Sequence, residues 1–173
     1  MAVTDELLQN NAEYSADFKD GGLPLPPARK LAVVACMDAR LDVHRILGLK
    51  HGDAHVIRNA GGAVTEDVIR SLTISQRLLG TEEIILMHHT DCGMLTFKED
   101  DVKAQIAADT GIRPPFALEA FPDLEGDVRQ SKARIEASPF IPHKDQIRGF
   151  VYDVKSGRLN EVSPEKQEPA ETG

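Results

Sequence analysis

LAVVACMDAR, residues 31–40, decides the fold. Leu31–Ala35 is a run of small and branched apolar residues behind a Lys-containing loop, the composition of a parallel strand buried on both faces. The run empties directly into Cys36, Asp38 and Arg40 at alternate positions. If the chain stays extended past the strand, a side-chain period of two turns all three to one side. A thiol, a carboxylate and a guanidinium then share one small space.

Working outward, Leu41–Leu47 reads as a short helix stopped by Gly48, and Ala54–Arg58 (AHVIR) as a second strand. Asn59-Ala60-Gly61-Gly62 follows it, and two adjacent glycines at a strand's end let backbone N–H groups approach a ligand closely. Thr65–Leu79 is the clearest helix, with Thr65 as N-cap, Glu66 and Asp67 in its first turn, Val68, Leu72 and Leu79 on one face, and Gly80 beyond its end. Glu83–His88 (EIILMH) is a third buried strand and runs into His89-Thr90-Asp91-Cys92-Gly93. This alternation predicts right-handed βαβ crossovers and a parallel sheet with helices on both faces. Ligands of such sheets sit beyond the strands' carboxyl ends where the order reverses, which in a 2-1-3-4 order is between the first and third strands. Cys36 is therefore expected to meet His89 and Cys92, although 56 positions separate the two cysteines.

On the amino-terminal side, Thr4 is expected to cap a helix to about Asp17 with Leu7, Leu8, Asn11, Tyr14 and Phe18 near helical spacing. GGLPLPP (Gly21–Pro27) cannot continue it, so residues 1–27 form a helical arm and linker. Either a partner subunit or the chain's own body must cover its apolar stripe. Residues 28–163 form a single α/β domain. Within it, Thr96 is expected to cap a helix to about Asp109 that Gly111 and Pro114-Pro115 end, and Leu124–Glu136 forms another. Ile147–Val154 and Leu159–Val162 pair across Lys155-Ser156-Gly157-Arg158. Residues 164–173 (PEKQEPAETG) are polar and expected to be disordered.

The 173 residues suffice to bury roughly 70% of the unfolded surface, so no metal or disulfide is needed to hold the fold. Two cysteines without a basic-then-apolar leader point to reduced thiols in a soluble, cytoplasmic protein, and no apolar run reaches membrane-spanning length. A formal charge of −8 with no Trp excludes a polyanion partner and aromatic stacking platforms, so no nucleic acid and no membrane is expected. GxGxxG, GxxxxGK[ST], HExxH and CxxC are all missing, which removes the usual dinucleotide, P-loop, zincin and redox readings.

Two thiolates and one imidazole make a Cys2His zinc site with a fourth position free, the arrangement of a catalytic zinc. His89 and Cys92 supply a chelating i, i+3 pair, and Cys36 closes the set. Asp38 can accept a hydrogen bond from water or hydroxide at the open position while a bidentate pair with Arg40 keeps it ionised. The same carboxylate can instead swing onto the metal as a fourth ligand, giving a closed, inactive form. Taken alone, Cys36 reads as a small buried hydrophobe and Asp38–Arg40 as a loop ion pair. Both motifs at the ends of neighbouring strands favour a metal site, with a non-catalytic zinc or redox-responsive binding module as the alternative. His88 is expected to be a packed strand residue, His44, His51, His55 and His143 solvated, and Asp91 a hydrogen-bonding loop group.

At this point the residues resemble the β-class carbonic anhydrases. Cys36-Met37-Asp38-Ala39-Arg40 resembles their CxDxR motif and His89-Thr90-Asp91-Cys92-Gly93 their HxxCG, with Arg58–Gly62 similar to the segment between. The resemblance implies a three-layer fold with a mostly parallel sheet, order 2-1-3-4 and an antiparallel last strand, plus the helical arm. It implies reversible hydration of CO2 to bicarbonate and a proton through zinc hydroxide, Cys36, His89 and Cys92 as ligands, Asp38 and Arg40 as the catalytic dyad, and backbone at Gly61 and Gly62 lining the pocket. It further implies a homodimer, or a tetramer built from dimers, with the arm embracing the neighbour. Lacking Trp, the chain has no Trp-containing bicarbonate pocket of the allosteric subgroup in its usual form. The wording VVACMDARLDV also resembles carbonyl sulfide hydrolases of the same fold, which makes hydrolysis of carbonyl sulfide or CS2 the alternative activity.

Overall fold

Every residue of β1 (Leu31–Cys36) is buried, and the computed structural model, which describes residues 2–163, builds outward from it. Met1 and the polar tail at 164–173 lie outside the described residues. β1 pairs in parallel with β2 (Ala54–Asn59) on one side and β3 (Glu83–His89) on the other. β4 (Ile147–Tyr152) continues in parallel beside β3, and β5 (Leu159–Glu161) closes the edge antiparallel. The order is β2-β1-β3-β4-β5, the expected one.

The pleat sorts the core into two faces. Val33, Ala35 and Met87 pack with Leu41, Val43, Met94 and Phe121, while Ala32, Val34, Ile84 and Leu86 pack with Val68, Leu72 and Ile135. Val68 and Leu72 belong to α3 (Glu66–Arg77) and Ile135 to α5 (Leu124–Ala137), so helices cover the second face. α2 (Val43–Leu47) lies on the first, and α4 (Glu99–Thr110) follows β3 in sequence.

Two helix boundaries fall where the capping signals of the sequence put them. Thr65 Oγ1 accepts from Val68 N–H at the start of α3, and Gly48 ends α2 in the left-handed region. Three expectations need correction. α1 (Val3–Ala16) is capped at Ala2, not Thr4, because the Asp5 carboxylate accepts the Ala2 N–H at 3.0 Å. α2 begins at Val43, since Asp42 accepts the Arg45 N–H. α4 starts two residues later than a Thr96 cap would place it, because the Thr96 hydroxyl donates backwards to Gly93 O at 2.7 Å.

α1 buries none of its residues; Leu7 (58% exposed), Leu8 (64%) and Tyr14 (52%) face outward. The linker returns to the body through Ala28 N–H to Gly52 O and Arg29 N–H to Asp53 O. Among the described residues, no helix is long and apolar enough to cross a membrane.

Gly62 carries a φ of 72°, and a Cβ built there would lie 3.0 Å from Cys36 N, 3.1 Å from Ala35 C and 3.3 Å from Met87 O. All three neighbours are backbone, so none can step aside. Gly62→Ala is expected to cost about 2–4 kcal/mol, from left-handed strain plus crowding. Urea unfolding checks it, and a loss under about 0.5 kcal/mol would mean that β1 and β3 yield at this point.

Candidate metal centre

The parallel register sets Ala35 beside Met87, which brings the carboxyl ends of β1 and β3 level. Cys36 is the last residue of β1 and His89 the last of β3. Asp91 then adopts φ 57°, turning the chain so that Cys92 comes back toward Cys36. One donor atom each from Cys36, His89 and Cys92 lie within 4.8 Å of one another, and all three residues are buried. The sulfurs are 4.0 Å apart.

His89 Nδ1 sits 2.9 Å from Thr90 O, which can only accept, so Nδ1 carries the proton and Nε2 presents its lone pair. That Nε2 is buried and has no hydrogen-bond partner. A buried, unpaired imidazole nitrogen beside two thiols is costly unless something positive occupies the space between them. Tetrahedral zinc with bonds of ~2.3 Å to sulfur places two thiolates about 3.8 Å apart, which this pair matches. The donor set fits a metal ion.

The field points the same way. The Cys92 S–H, the His89 ring and the backbone N–H groups of Asp38 and Gly61 hold the Cys36 thiol down to about 4, against the opposing effect of burial. Its negative partner, together with burial, pushes the Cys92 thiol up. Burial works against charging His89, yet the Cys36 sulfur and the Thr90 carbonyl raise it overall. The space favours positive charge.

Asp38 and Arg40 are neighbours, but not by continuation of the strand. β1 stops at Cys36; Asp38 O then accepts Leu41 N–H, and Asp38 Oδ1 accepts Arg40 N–H at 2.9 Å. A side-chain-capped turn replaces the expected pleat because Asp bonds readily to the backbone two residues on. Arg40 Nε donates to Asp38 Oδ1 at 2.9 Å and Nη2 to Oδ2 at 2.8 Å. These bonds, the Arg40 side chain foremost, hold the Asp38 carboxyl well below the usual carboxylate range. Asp38 Oδ2 lies 3.8 Å from His89 Nε2. The carboxylate therefore borders the donor cluster without joining it.

Arg40 also donates from Nη1 to Asp91 Oδ2 at 2.7 Å and from Nη2 to Asp91 O at 2.9 Å, tying the loop after β1 to the loop after β3. Gly61 approaches Cys36 through its N–H, and a Cβ there would lie 3.0 Å from both Met94 and Phe121. Gly62 instead backs onto the β1 and β3 backbone.

His88 is fully buried, as expected, with Nε2 at 2.6 Å from Asp127 Oδ2. His55 is not solvated as expected: it is half-buried, with Nδ1 2.7 Å from Ser75 Oγ, because β2 packs against α3 there. His51 is exposed and pairs with Asp20 at 2.8 Å. Sequence reasoning assigned no role to Arg58, whose guanidinium reaches two main-chain carbonyls beside the site. Its signals are its position, near the end of the strand paired with β1, and its place in the Arg58–Gly62 segment of the family resemblance.

A carbonic anhydrase family profile matches residues 31–115. β-Carbonic anhydrase 1 of Mycobacterium tuberculosis is 63% identical over 164 residues, covering 95% of this chain and 100% of its own. The chain belongs to the β-carbonic anhydrase family. Among solved structures, a carbonic anhydrase from Streptococcus mutans superposes with a TM-score of 0.88 at 44% identity, covering 94% of this chain and 99% of that one. A more distant relative, a carbon disulfide hydrolase of Saccharolobus solfataricus, is 34% identical, covering 90% of this chain and 86% of its own. The carbonic anhydrase fold thus carries the Cys-His-Cys cluster at the strand ends where the sequence pointed.

Proposed function

We propose that this carbonic anhydrase family member hydrates CO2 reversibly to bicarbonate and a proton, with zinc held by Cys36, His89 and Cys92 and with Asp38 and Arg40 as the catalytic dyad. The observation that carries the reading is the buried, unpartnered His89 Nε2 grouped with two thiol sulfurs. Two thiolates with one imidazole suit zinc over harder divalent ions. Zinc bound there supplies Lewis acidity that brings the ionisation of water toward neutral pH.

The chain's own residues do the rest. Asp38 accepts a hydrogen bond from the attacking oxygen and orients its lone pair toward the CO2 carbon. Arg40 keeps Asp38 ionised and holds it in place. Asp38 would serve as a fourth ligand only in a closed, inactive form, which the two side-chain bonds to Arg40 oppose. Backbone at Gly61, with Gly62 behind it, lines the pocket. A cytoplasmic setting agrees with the need to keep both thiols, free in this structure, reduced.

Stopped-flow CO2 hydration by the zinc-loaded protein tests the proposal; no rate above buffer at pH 8.5 removes it. Activity is expected to decline toward pH 6 as water ionisation is suppressed, and a flat profile from pH 6 to 9 contradicts the mechanism. The carbon disulfide hydrolase relative supports a second reading, hydrolysis of CS2 or carbonyl sulfide at the same site. The ratio of kcat/KM for CO2 to that for each sulfur substrate ranks the two, and the higher identity to the mycobacterial enzyme favours CO2.

The assembly proposed is a homodimer, or a tetramer built from dimers, with the uncovered face of α1 on a neighbouring copy. Leu8→Glu with Tyr14→Glu is expected to shift the sedimentation profile toward monomer. An unchanged profile places the interface elsewhere.

A further inference from the structure

β1 ends at Cys36, and its ladder with β2 goes one step further through Met37 N–H, which donates to Asn59 O at 2.8 Å. Beyond that bond the chain leaves the sheet, and Asp38 enters the turn that leads to Leu41. The carbonyls of Cys36 and Asp38 turn to a side chain. Arg58 Nε and Nη2 donate to Cys36 O at 3.0 and 2.8 Å, and Nη2 donates again to Asp38 O at 2.7 Å. Arg58 stands near the carboxyl end of β2, level with Ala35, so its stem rises past the point where β1 stops.

From this geometry we infer that Arg58 is a positioning residue: it fixes the Cys36–Asp38 backbone and thereby the placement of the Cys36 sulfur relative to the Asp38 carboxylate. Packing fixes the Cys36 end of that segment but not its middle, since Cys36 is buried while Met37 is 63% exposed. A small rotation at Met37 would move Cys36 and Asp38 relative to each other. A rigid planar fork that spans two carbonyls at once resists such a rotation; a single ammonium on a flexible stem does so less well. Arg40 restrains the same segment from its other end, through the Asp38 side chain. The two guanidiniums divide the task, Arg40 orienting the carboxylate and Arg58 the main chain that carries it. The inference rests on the proposed roles of Cys36 as ligand and Asp38 as dyad member.

Arg58→Met keeps the aliphatic stem and removes every donor, and Arg58→Lys keeps the charge without the fork. Zinc affinity is measured by competition with a chromophoric chelator, cobalt coordination by visible absorption of the Co(II)-substituted protein, and fold stability by thermal unfolding of the metal-free protein. Arg58→Met is expected to weaken zinc binding on the order of 10- to 100-fold and to alter the cobalt spectrum, with metal-free unfolding nearly unchanged. Arg58→Lys is expected to fall between Arg58→Met and wild type. Unchanged affinity and spectrum in Arg58→Met overturn the inference, as does full recovery by Arg58→Lys. A fall in affinity matched by an equal loss of metal-free stability also overturns it, because Arg58 would then support the fold at large. If wild type binds no zinc, the functional reading fails and this inference with it; tight binding by wild type and Arg58→Met alike removes this inference alone.

Discussion

His89→Ala is expected to purify without zinc and to lose roughly 10^4-fold in kcat/KM for CO2. The magnitude follows from what is removed. Without the imidazole, two thiols 4.0 Å apart remain, and a negative Cys36 sulfur holds the Cys92 thiol protonated beside it. A two-ligand site holds zinc poorly, and the several kcal/mol of Lewis-acid assistance go with the ion. His89 is fully buried, so truncation also leaves a cavity and costs stability. Circular dichroism therefore accompanies the metal analysis. Wild type stripped by a chelator serves as the second arm, expected to lose activity with its fold intact and to regain it on adding zinc. Full CO2 hydration by a zinc-free, folded His89→Ala protein would sink the mechanism.

Asp38→Asn is expected to keep its zinc and lose roughly 10^2- to 10^3-fold in kcat/KM. The amide nearly reproduces the carboxylate's shape but has one acceptor oxygen in place of two, and it brings two N–H donors against a guanidinium that only donates. It can neither hold the Arg40 fork bidentately nor orient the attacking oxygen as a carboxylate does. Arg40→Gln separates those effects. It leaves Asp38 ionised at neutral pH but unheld and free to reach the donor cluster, whose His89 Nε2 is 3.8 Å from Asp38 Oδ2. Activity is expected to fall about 10- to 100-fold, with zinc retained.

The sign of the pH effect on stability is also set. Arg40 lowers the folded-state pKa of Asp38 below its unfolded value, so the pair's contribution is present above the ordinary carboxylate pKa and lost as pH falls through the lowered one. With an exposed guanidinium as partner, the contribution is small. If activity survives in both Asp38→Asn and Asp38→Ala, the dyad has no part in the chemistry.

Much of the fold was legible because its signals are local. The all-apolar β1, the Thr65 cap of α3 and the Gly48 stop of α2 each follow from composition or from a hydrogen bond within one turn. Failures came where two local signals competed. Asp5 outdid Thr4 at the first helix, and the Thr96 hydroxyl bonded back to Gly93 instead of capping forward. The burial of His55 is not legible locally, because its partner, Ser75, lies on another element.

By itself the sequence determined that a thiol strand end and an HxxC strand end belong to adjacent strands, because βαβ handedness and strand order leave few other arrangements. Only the tertiary structure decided how the residues between those ends are held. Asp38 reaches its place through a turn, Asp91 takes up the free side of Arg40, and Arg58 holds the Cys36 and Asp38 carbonyls. Apart from the Asp38 turn, these contacts join residues 20 to 51 positions apart. No local periodicity encodes them, because each depends on where a neighbouring strand happens to stop.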